Sequence, residues 1–292
     1  MKKIILILSI LFLSSLPANA IKIGLYDGVF EAIVGTNLQG VILDKNSHAI
    51  LETTKPKKAY KIYPMGSSIG IVINGKRRNL GRNCIEIKNV TNGGFVYAKK
   101  RWYRGNLIIK NSGGRLIVIN ELPLEDYLQG VVPSEMPSRW NVEAHKAQAI
   151  AARSWAIANM NKRIKRGYNL LDGPMDQAYK GANFETAKTN FAVQATRGIV
   201  MTYGNKIITA YYHASSGGHT KGSGAVWAKD LPYLKSVDGY DWGKRKFGHG
   251  VGMSQYGANN LANRGLKDYE ILNHYYNNVN FARVKDASLT KL

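Results

Sequence analysis

The chain has 292 residues, 45% of them hydrophobic, and its 41 lysines and arginines against 19 acidic residues give a formal net charge of +22. It is long enough for one large core or two packed subdomains, and it contains no low-complexity tract. Its single cysteine, Cys84, excludes an intrachain disulfide and a multi-cysteine metal site, so stability must come from packing.

The first twenty residues have the layout of a secretory signal peptide. A basic start at Lys2 and Lys3 precedes an apolar run over residues 4–13, and small residues end the segment at Ala20. The apolar run is shorter than the roughly 20 residues that span a bilayer, although a retained anchor is the alternative. We therefore predict a signal peptide at residues 1–20, no stable membrane span after its removal, and a secreted or periplasmic protein associated with the cell wall.

The positive charge indicates the kind of partner. Basic clusters recur along the chain, and the excess charge favours a polyanion by long-range attraction. The sequence has no helix-turn-helix or RNA-binding aromatic pattern. For an exported chain we expect anionic wall polymers or membrane surfaces as partners, and no nucleic acid.

Hydrophobic periodicity predicts an α+β fold. Residues 21–100 form a β-rich region of short β-branched runs between turn residues, and further runs follow at Leu107–Lys110 and Arg115–Ile119. From Asn141 to Met160, small residues recur at steps of three and four, which predicts a helix with a closely packed face. A second helix is predicted over Thr186–Thr196, followed by mixed strands and helices.

The stretch Leu122–Pro137 isolates one acidic side chain, Glu135, between two prolines. Pro133 and Pro137 fix their own φ and disfavour the α region for the residue before each, so we expect a stiff, extended turn. Burial among apolar neighbours would raise the pKa of the Glu135 carboxyl group. Such a group suits a general acid for glycosidic bond cleavage. The alternative is that Glu135 caps the next helix or pairs with a lysine.

This stretch is the first of five distinctive segments, which are Leu122–Pro137, Ala147–Ser154, Tyr212–Gly218, Leu231–Val237 and Gly248–Gly257. In this order they resemble the stage II sporulation protein D and LytB amidase-enhancer family (SpoIID/LytB), over a match from about Tyr103 to Asn278. The resemblance implies an exported wall protein. We place a SpoIID/LytB-like peptidoglycan-acting domain at residues 101–285, after the β-rich region.

The resemblance also implies roles for individual residues. Glu135, in the sequence Ser-Glu-Met-Pro, matches a catalytic glutamate, and Lys146 and Arg153 match functionally important helix positions. From spacing alone, these two cations either hold an acidic ligand or are solvated. Four further residues in the last segments are predicted to contact substrate: Ser215, His249, Ser254 and Gln255.

The activity implied by the resemblance is that of a lytic transglycosylase. A hydrolysing glycosidase normally uses two carboxyl groups, whereas a transglycosylase can use one. The glutamic acid protonates the leaving oxygen, and its carboxylate then accepts the proton of the sugar 6-hydroxyl that attacks C1, giving a 1,6-anhydro product. We predict this reaction on peptidoglycan glycan strands. The alternative is a non-catalytic wall-binding enhancer of a separate N-acetylmuramoyl-L-alanine amidase.

Two histidines raise the question of a metal, because some relatives bind zinc near this loop. His213 and His219 supply two ligands, whereas a structural zinc site has four, and Ser215 and Ser216 stand where a thiolate would help. We predict no metal site and no cofactor, with zinc at these histidines as the alternative. The run Gly248–Gly252 either lets the backbone approach a ligand or is a structural turn.

Overall fold

The computed structural model of the protein describes residues 20–285 and 288–291, so nearly all of the predicted signal peptide lies outside the described residues. The predicted α+β class is confirmed, with a strand-rich N-terminal region before the first helix. Twelve strands of the described part precede that helix. They are β1 (Ala20–Val29), β2 (Ala32–Thr36), β3 (Gly40–Asp44), β4 (Ile50–Thr54), β5 (Ala59–Met65), β6 (Ser68–Ile73), β7 (Lys76–Asn79), β8 (Cys84–Asn89), β9 (Val96–Ala98), β10 (Arg101–Tyr103), β11 (Asn106–Ser112) and β12 (Arg115–Pro123).

Helices and short strands alternate in the rest of the described chain. They are α1 (Leu124–Glu135), α2 (Val142–Ala158), β13 (Leu170–Leu171), α3 (Ala187–Ala195), β14 (Ile199–Tyr203), β15 (Lys206–Ile207), β16 (Tyr212–His213), β17 (Met253–Ser254), α4 (Gln255–Asn263), α5 (Asp268–Tyr275), β18 (Asn280–Lys285) and β19 (Ser288–Lys291). None of the helices in the described part is long and apolar enough to cross a bilayer.

The N-terminal strands form two sheets that share a hydrophobic core. The seven-stranded sheet has the order β13-β1-β12-β11-β8-β3-β4, and the six-stranded sheet has the order β10-β9-β2-β5-β6-β7. Along β5, Tyr60 and Ile62 are buried while Ala59 and Lys61 are exposed, as the two-residue period of a strand requires. The inward residues of both sheets belong to one core with the apolar faces of α1 and α2.

Strand β1 supports the segment that carries Glu135. It pairs antiparallel with β12, with Ile21 opposite Leu122, and parallel with β13, with Ile23 opposite Leu170. Strand β12 runs directly into α1. The predicted division at residues 100 and 101 falls between β9 and β10, which pair with each other. The division into 21–100 and 101–285 stays a prediction.

Helix α2 confirms the predicted long helix and lies between two cores. Asn141 caps its first turn, since its side-chain oxygen accepts the Glu143 N–H at 3.0 Å. Ala149 packs into the core under the sheets, and Ala147 packs into a second core formed with α4 and α5. The helix ends at Ala158, earlier than predicted, and a separate 3-10 turn precedes the left-handed Gly167.

Candidate active site

Glu135 is the last residue of α1, so the expected extended turn over Leu122–Pro137 is wrong. Pro133 lies inside this helix, where it lacks the N–H that would bond to the Gln129 carbonyl. The Gly130 carbonyl accepts the Ser134 hydroxyl at 2.6 Å. The helix stops at Met136, which is extended at φ −125° and ψ 142°, as expected for the residue before Pro137.

The carboxyl group of Glu135 is held by donors from three other parts of the chain. The Ala178 N–H donates to Oε1 at 2.6 Å, and the Tyr212 hydroxyl donates to the same oxygen at 3.4 Å. The Gln255 side chain is the third partner. Next to Glu135, the Ser134 hydroxyl accepts the Lys180 N–H at 3.1 Å. The end of α1 is therefore fixed against the segment 178–180.

A chain of hydrogen bonds orients the Tyr212 hydroxyl. The Tyr127 hydroxyl donates to Gln177 Oε1 at 3.2 Å, and Gln177 Nε2 donates to the Tyr212 oxygen at 2.9 Å. Because the Tyr212 oxygen accepts the Gln177 amide proton, its own proton is directed towards Glu135. The chain thus makes Tyr212 a hydrogen-bond donor to the carboxyl group.

The pKa of Glu135 is raised above its ordinary value. Burial is the main cause, since it disfavours the charged form. The Ala178 N–H, the Gln255 and Tyr212 side chains, and the positive charge of Lys180 all oppose the rise. The residue nevertheless remains partly exposed. Glu135 is thus a carboxyl group that keeps its proton to higher pH and can still meet a ligand.

Of Ser215, His249, Ser254 and Gln255, which were predicted to contact substrate, Gln255 is brought directly to Glu135. Ser254 instead caps α4, accepting the Gly257 N–H, and donates to Asp241 Oδ2 at 2.6 Å. Ser215 donates through Oγ to the Arg245 carbonyl at 2.5 Å. The structure therefore engages Ser254 and Ser215 in contacts within the protein.

His249 lies in an aromatic cluster rather than beside the carboxyl group. Its ring centre is 5.2 Å from that of Trp227 and 5.7 Å from those of Tyr211 and His213. His213 follows Tyr212 on β16, where successive side chains point to opposite faces. The cluster therefore lies on the other side of this strand from Glu135.

The structure gives neither predicted helix cation a contact with Glu135. Arg153 is fully buried and binds both carboxylate oxygens of Glu125, at 2.8 and 2.7 Å. Glu125 lies ten residues before Glu135 on α1, about 15 Å along the helix axis. Lys146 pairs with Glu143 at 2.8 Å. The solvated alternative does not hold for Arg153, and a substrate-binding role for either cation stays a prediction.

The pair His213 and His219 does not fit a shared metal site. The His213 ring is buried, with Nδ1 3.2 Å from the Val251 carbonyl and Nε2 without a partner, and burial lowers its pKa to about 4. His219 is exposed and packs on the Trp242 ring at 4.9 Å. Among the described residues, no three His, Cys, Asp or Glu side chains are grouped as metal ligands. The expected absence of a cofactor stays a prediction.

A family model described as "Stage II sporulation protein" matches residues 112–203, from the end of β11 to the end of β14. The chain carries a SpoIID domain. Stage II sporulation protein D of Bacillus amyloliquefaciens is 28% identical over an alignment that covers 59% of this chain and 78% of that protein. The protein of the same name from Bacillus subtilis (strain 168) is 29% identical with the same coverage. The amidase enhancer of Bacillus subtilis is 42% identical over 107 residues, which covers 37% of this chain and 14% of that protein. These matches confirm the resemblance carried by the five segments.

The SpoIID domain contains Glu135 and its Ala178 donor, whereas Tyr212 and Gln255 follow the matched residues. Sequence reasoning missed Gln177 and Ala178, which lie in an irregular segment with no periodic signal. It quoted Tyr212 at the start of a matched segment without assigning it a role. His145 on α2 is fully buried, with Nε2 3.1 Å from the Pro137 carbonyl.

Proposed function

We propose that the protein is exported and cleaves peptidoglycan glycan strands as a lytic transglycosylase, with Glu135 as acid and then base. The SpoIID and amidase-enhancer relatives support a cell-wall function. The observation that carries the finer proposal is a single carboxyl group with a raised pKa, held in one orientation at the partly exposed end of a helix. A proton donor of this kind suits glycosidic cleavage near neutral pH.

The hydrogen bonds of Glu135 assign different tasks to its two oxygens. The Ala178 N–H and the Tyr212 hydroxyl both donate to Oε1. An oxygen that accepts two hydrogen bonds is a poor place for the acidic proton, so Oε2 carries it. Oε2 then protonates the glycosidic oxygen as the C1–O bond breaks.

The same carboxyl group completes the reaction as a base. Once ionised, Oε2 accepts the proton of the sugar 6-hydroxyl while that oxygen bonds to C1, which closes the 1,6-anhydro ring and restores the acid. The donors on Oε1 stabilise the carboxylate between these two steps. Burial raises the pKa of Glu135 and hydrogen bonding lowers it. This balance suits a group that must first lose a proton and then regain it.

Transglycosylation, unlike hydrolysis, can proceed with a single carboxyl group. A hydrolysing glycosidase needs a second carboxylate, about 5–10 Å from the first, as nucleophile or as base for a water molecule. The side chains that act most strongly on Glu135 in the described part are Tyr212, Gln255 and Lys180, none of which is an acid. The 6-hydroxyl of the sugar takes the place of the activated water.

The proposal is tested by digesting purified glycan strands, with and without their peptide stems, and analysing the products by mass spectrometry. Wild type should give 1,6-anhydro ends, and Glu135→Gln should give none, because the amide cannot donate and then accept the proton. The matched control is Glu31→Gln, an exposed carboxylate paired with Lys61, which should cleave like wild type. Anhydro products from Glu135→Gln at the wild-type rate would contradict the assigned role.

A second candidate function is stimulation of a separate N-acetylmuramoyl-L-alanine amidase without cleavage of the glycan. The 42% identity with the amidase enhancer over 107 residues favours it, and the net charge of +22 suits attachment to an anionic wall. In an assay with purified amidase and cell wall, the enhancer function predicts faster release of stem peptides. That stimulation should persist in Glu135→Gln and weaken as salt is added.

Export is tested separately by expressing the full chain and measuring the mass of the mature protein. Cleavage after Ala20 is expected, and a full-length protein retained in the cytoplasm would contradict export.

A further inference from the structure

The loop at residues 242–247 presents aromatic and basic side chains to solvent. Trp242 is 63% exposed and Phe247 is 74% exposed. Between them Lys244, Arg245 and Lys246 are also exposed, and none of the three forms an ion pair within the described residues. Large exposed aromatic side chains beside unpaired charges are typical of binding surfaces.

The loop is built on a rigid base. Asp241, immediately before it, is fully buried and accepts the Ser216 hydroxyl and the Gly218 N–H at 2.7 Å each, and the Ser254 hydroxyl at 2.6 Å. At the other end, the backbones of Phe247 and Ser215 exchange two hydrogen bonds, at 3.2 and 2.9 Å. Both ends are thus fixed, so the exposure of the aromatic rings is a property of the fold.

The loop is connected to the elements that hold Glu135. Tyr212 and Gln255 contact Glu135. Ser215, three residues after Tyr212, and Tyr256, directly after Gln255, lie next to the loop. Lys244 Nζ lies 5.0 Å from the centre of the Tyr256 ring. A pocket of about 310 Å³ opens here, lined by Ala214, Ser215, Lys244, Arg245, Phe247 and Tyr256. Its volume lies at the lower end of the range of about 300–1,000 Å³ found for small-molecule sites.

The side chains of the pocket combine two recognition chemistries. The rings of Phe247 and Tyr256 can cover the C–H face of a sugar, which is apolar, while Lys244 and Arg245 can pair with carboxylates. No acidic side chain lines the pocket to compete for these cations. The positive charge of the pocket therefore favours an anionic ligand, and its aromatic rings favour a ligand with an apolar ring face.

We propose that this pocket is a subsite for a sugar chain that carries carboxylate groups, with Phe247 and Tyr256 contacting a sugar ring and Lys244 and Arg245 pairing with the carboxylates. The inference rests on the proposed function, because it names a ligand group carried by the glycan strands that the protein is proposed to cleave. The carboxylates can belong to the sugar units or to attached peptides, and the experiment separates these sources.

The test measures equilibrium binding in the Glu135→Gln protein, so that cleavage does not consume the ligand. The Glu135→Gln protein is the parent, and the loop variant adds Phe247→Ala and Lys244→Gln to it. The matched control carries Phe30→Ala and Arg115→Gln, since Phe30 is 63% exposed and lies 4.0 Å below the Arg115 guanidinium, away from the pocket. All these residues are on the surface, and urea denaturation should give the same midpoint for each protein.

Three soluble probes are used: glycan strands stripped of peptides, the same strands with carboxylates converted to methylamides, and strands that keep their peptides. We expect Phe247→Ala with Lys244→Gln to bind stripped strands about tenfold more weakly or worse, and the control to bind them like its parent. Methylamide strands should bind the parent more weakly than untreated ones. Weaker binding of peptide-bearing strands would assign the carboxylates to the sugar, and equal or tighter binding would assign them to the peptides.

Unchanged binding in the loop variant, or an equal loss in the Phe30 and Arg115 control, would overturn the subsite. Equal binding of methylamide and untreated stripped strands, with no tighter binding of the peptide-bearing strands, would overturn recognition of carboxylates. These failures are distinct from failure of the proposed function. If wild type cleaves in a Glu135-dependent way while the loop variant binds normally, only the subsite falls. If wild type does not cleave but binding depends on the loop, only the transglycosylase proposal falls.

Discussion

The buried ion pair between Glu125 and Arg153 allows the sharpest stability prediction. The Arg153 side chain is 1% exposed, and its Nε and Nη2 atoms donate to the two oxygens of Glu125. Its Nη1 atom also donates to the Ile199 carbonyl at 3.1 Å, so the pair joins α1, α2 and β14. Either partner left alone would be a charge without its counter-ion in a largely buried site.

The expected cost of breaking the pair is large. Removing one member of a buried pair typically costs about 3–5 kcal/mol, whereas replacing both by apolar residues is often close to neutral. We therefore expect Arg153→Met alone to lower the free energy of unfolding by about 3–5 kcal/mol. Since 1 kcal/mol shifts the Tm of a domain of this size by roughly 2–4 °C, the Tm should fall on the order of 10 °C. Glu125→Leu with Arg153→Met should recover most of this loss.

Urea denaturation followed by far-UV circular dichroism measures both effects. The matched control is the exposed pair Lys61 and Glu31, for which Lys61→Met should cost less than about 1 kcal/mol. A loss below about 1 kcal/mol for Arg153→Met, or a double variant as unstable as the sum of the single ones, would refute the reasoning. A double variant that folds normally but no longer binds glycan would instead assign Arg153 the substrate-binding role.

Three further predictions follow from the titrating groups. Tyr212→Phe removes a donor that lowers the pKa of Glu135, so the alkaline limb of the pH–rate profile should move to higher pH; a shift to lower pH would contradict the hydrogen bond. Because the pKa of Glu135 is raised on folding, its ionised form is disfavoured in the native state and stability should fall as pH rises past its ordinary value of 4.5. Glu135→Gln should therefore unfold at higher urea than wild type at pH 8 and at the same urea near pH 4. His213 has a pKa of about 4 in the fold against 6.5 in the free side chain, so about 3 kcal/mol of stability should be lost as pH falls from 6.5 to 4. His213→Gln should reduce that loss, and an unchanged pH dependence would show that other groups cause it.

Local signals in the sequence were sufficient for the long helix and the hairpins. Asn141 and the stripe of small residues after it predicted α2 because capping and periodic packing are encoded within a few residues. The turn between β14 and β15 is equally local, since Gly204 and Asn205 both have a positive φ. The conformation of such elements depends little on tertiary contacts with the rest of the chain.

Helix α1 could not be predicted in this way. The two prolines near Glu135 favoured an extended turn, yet burial of Leu128, Val131 and Val132 against the sheets stabilises a helix through Pro133. The acidic residues Glu125 and Asp126 lie in its first turn. Tertiary packing decided the conformation, and no neighbour in sequence reports that packing.

The partners of Glu135 were hidden for a related reason. The Ala178 N–H and the Tyr212 hydroxyl lie 43 and 77 residues away in sequence. One donor is a backbone group, which has no signature in the amino-acid sequence. The pairing of Arg153 with Glu125, 28 residues away in sequence, was likewise not indicated by any local pattern.

The distribution of donors around Glu135 argues that the site is larger than the SpoIID domain. Residues 112–203 supply the acid and the Ala178 N–H, whereas Tyr212 and Gln255 follow the matched residues. Burial by the whole fold raises the pKa of Glu135, and these later residues limit the rise. A carboxyl group held too firmly neutral would protonate the leaving oxygen poorly, and one held too firmly ionised would carry no proton to give. The balance that the proposed acid and base steps require is therefore set by both parts of the chain.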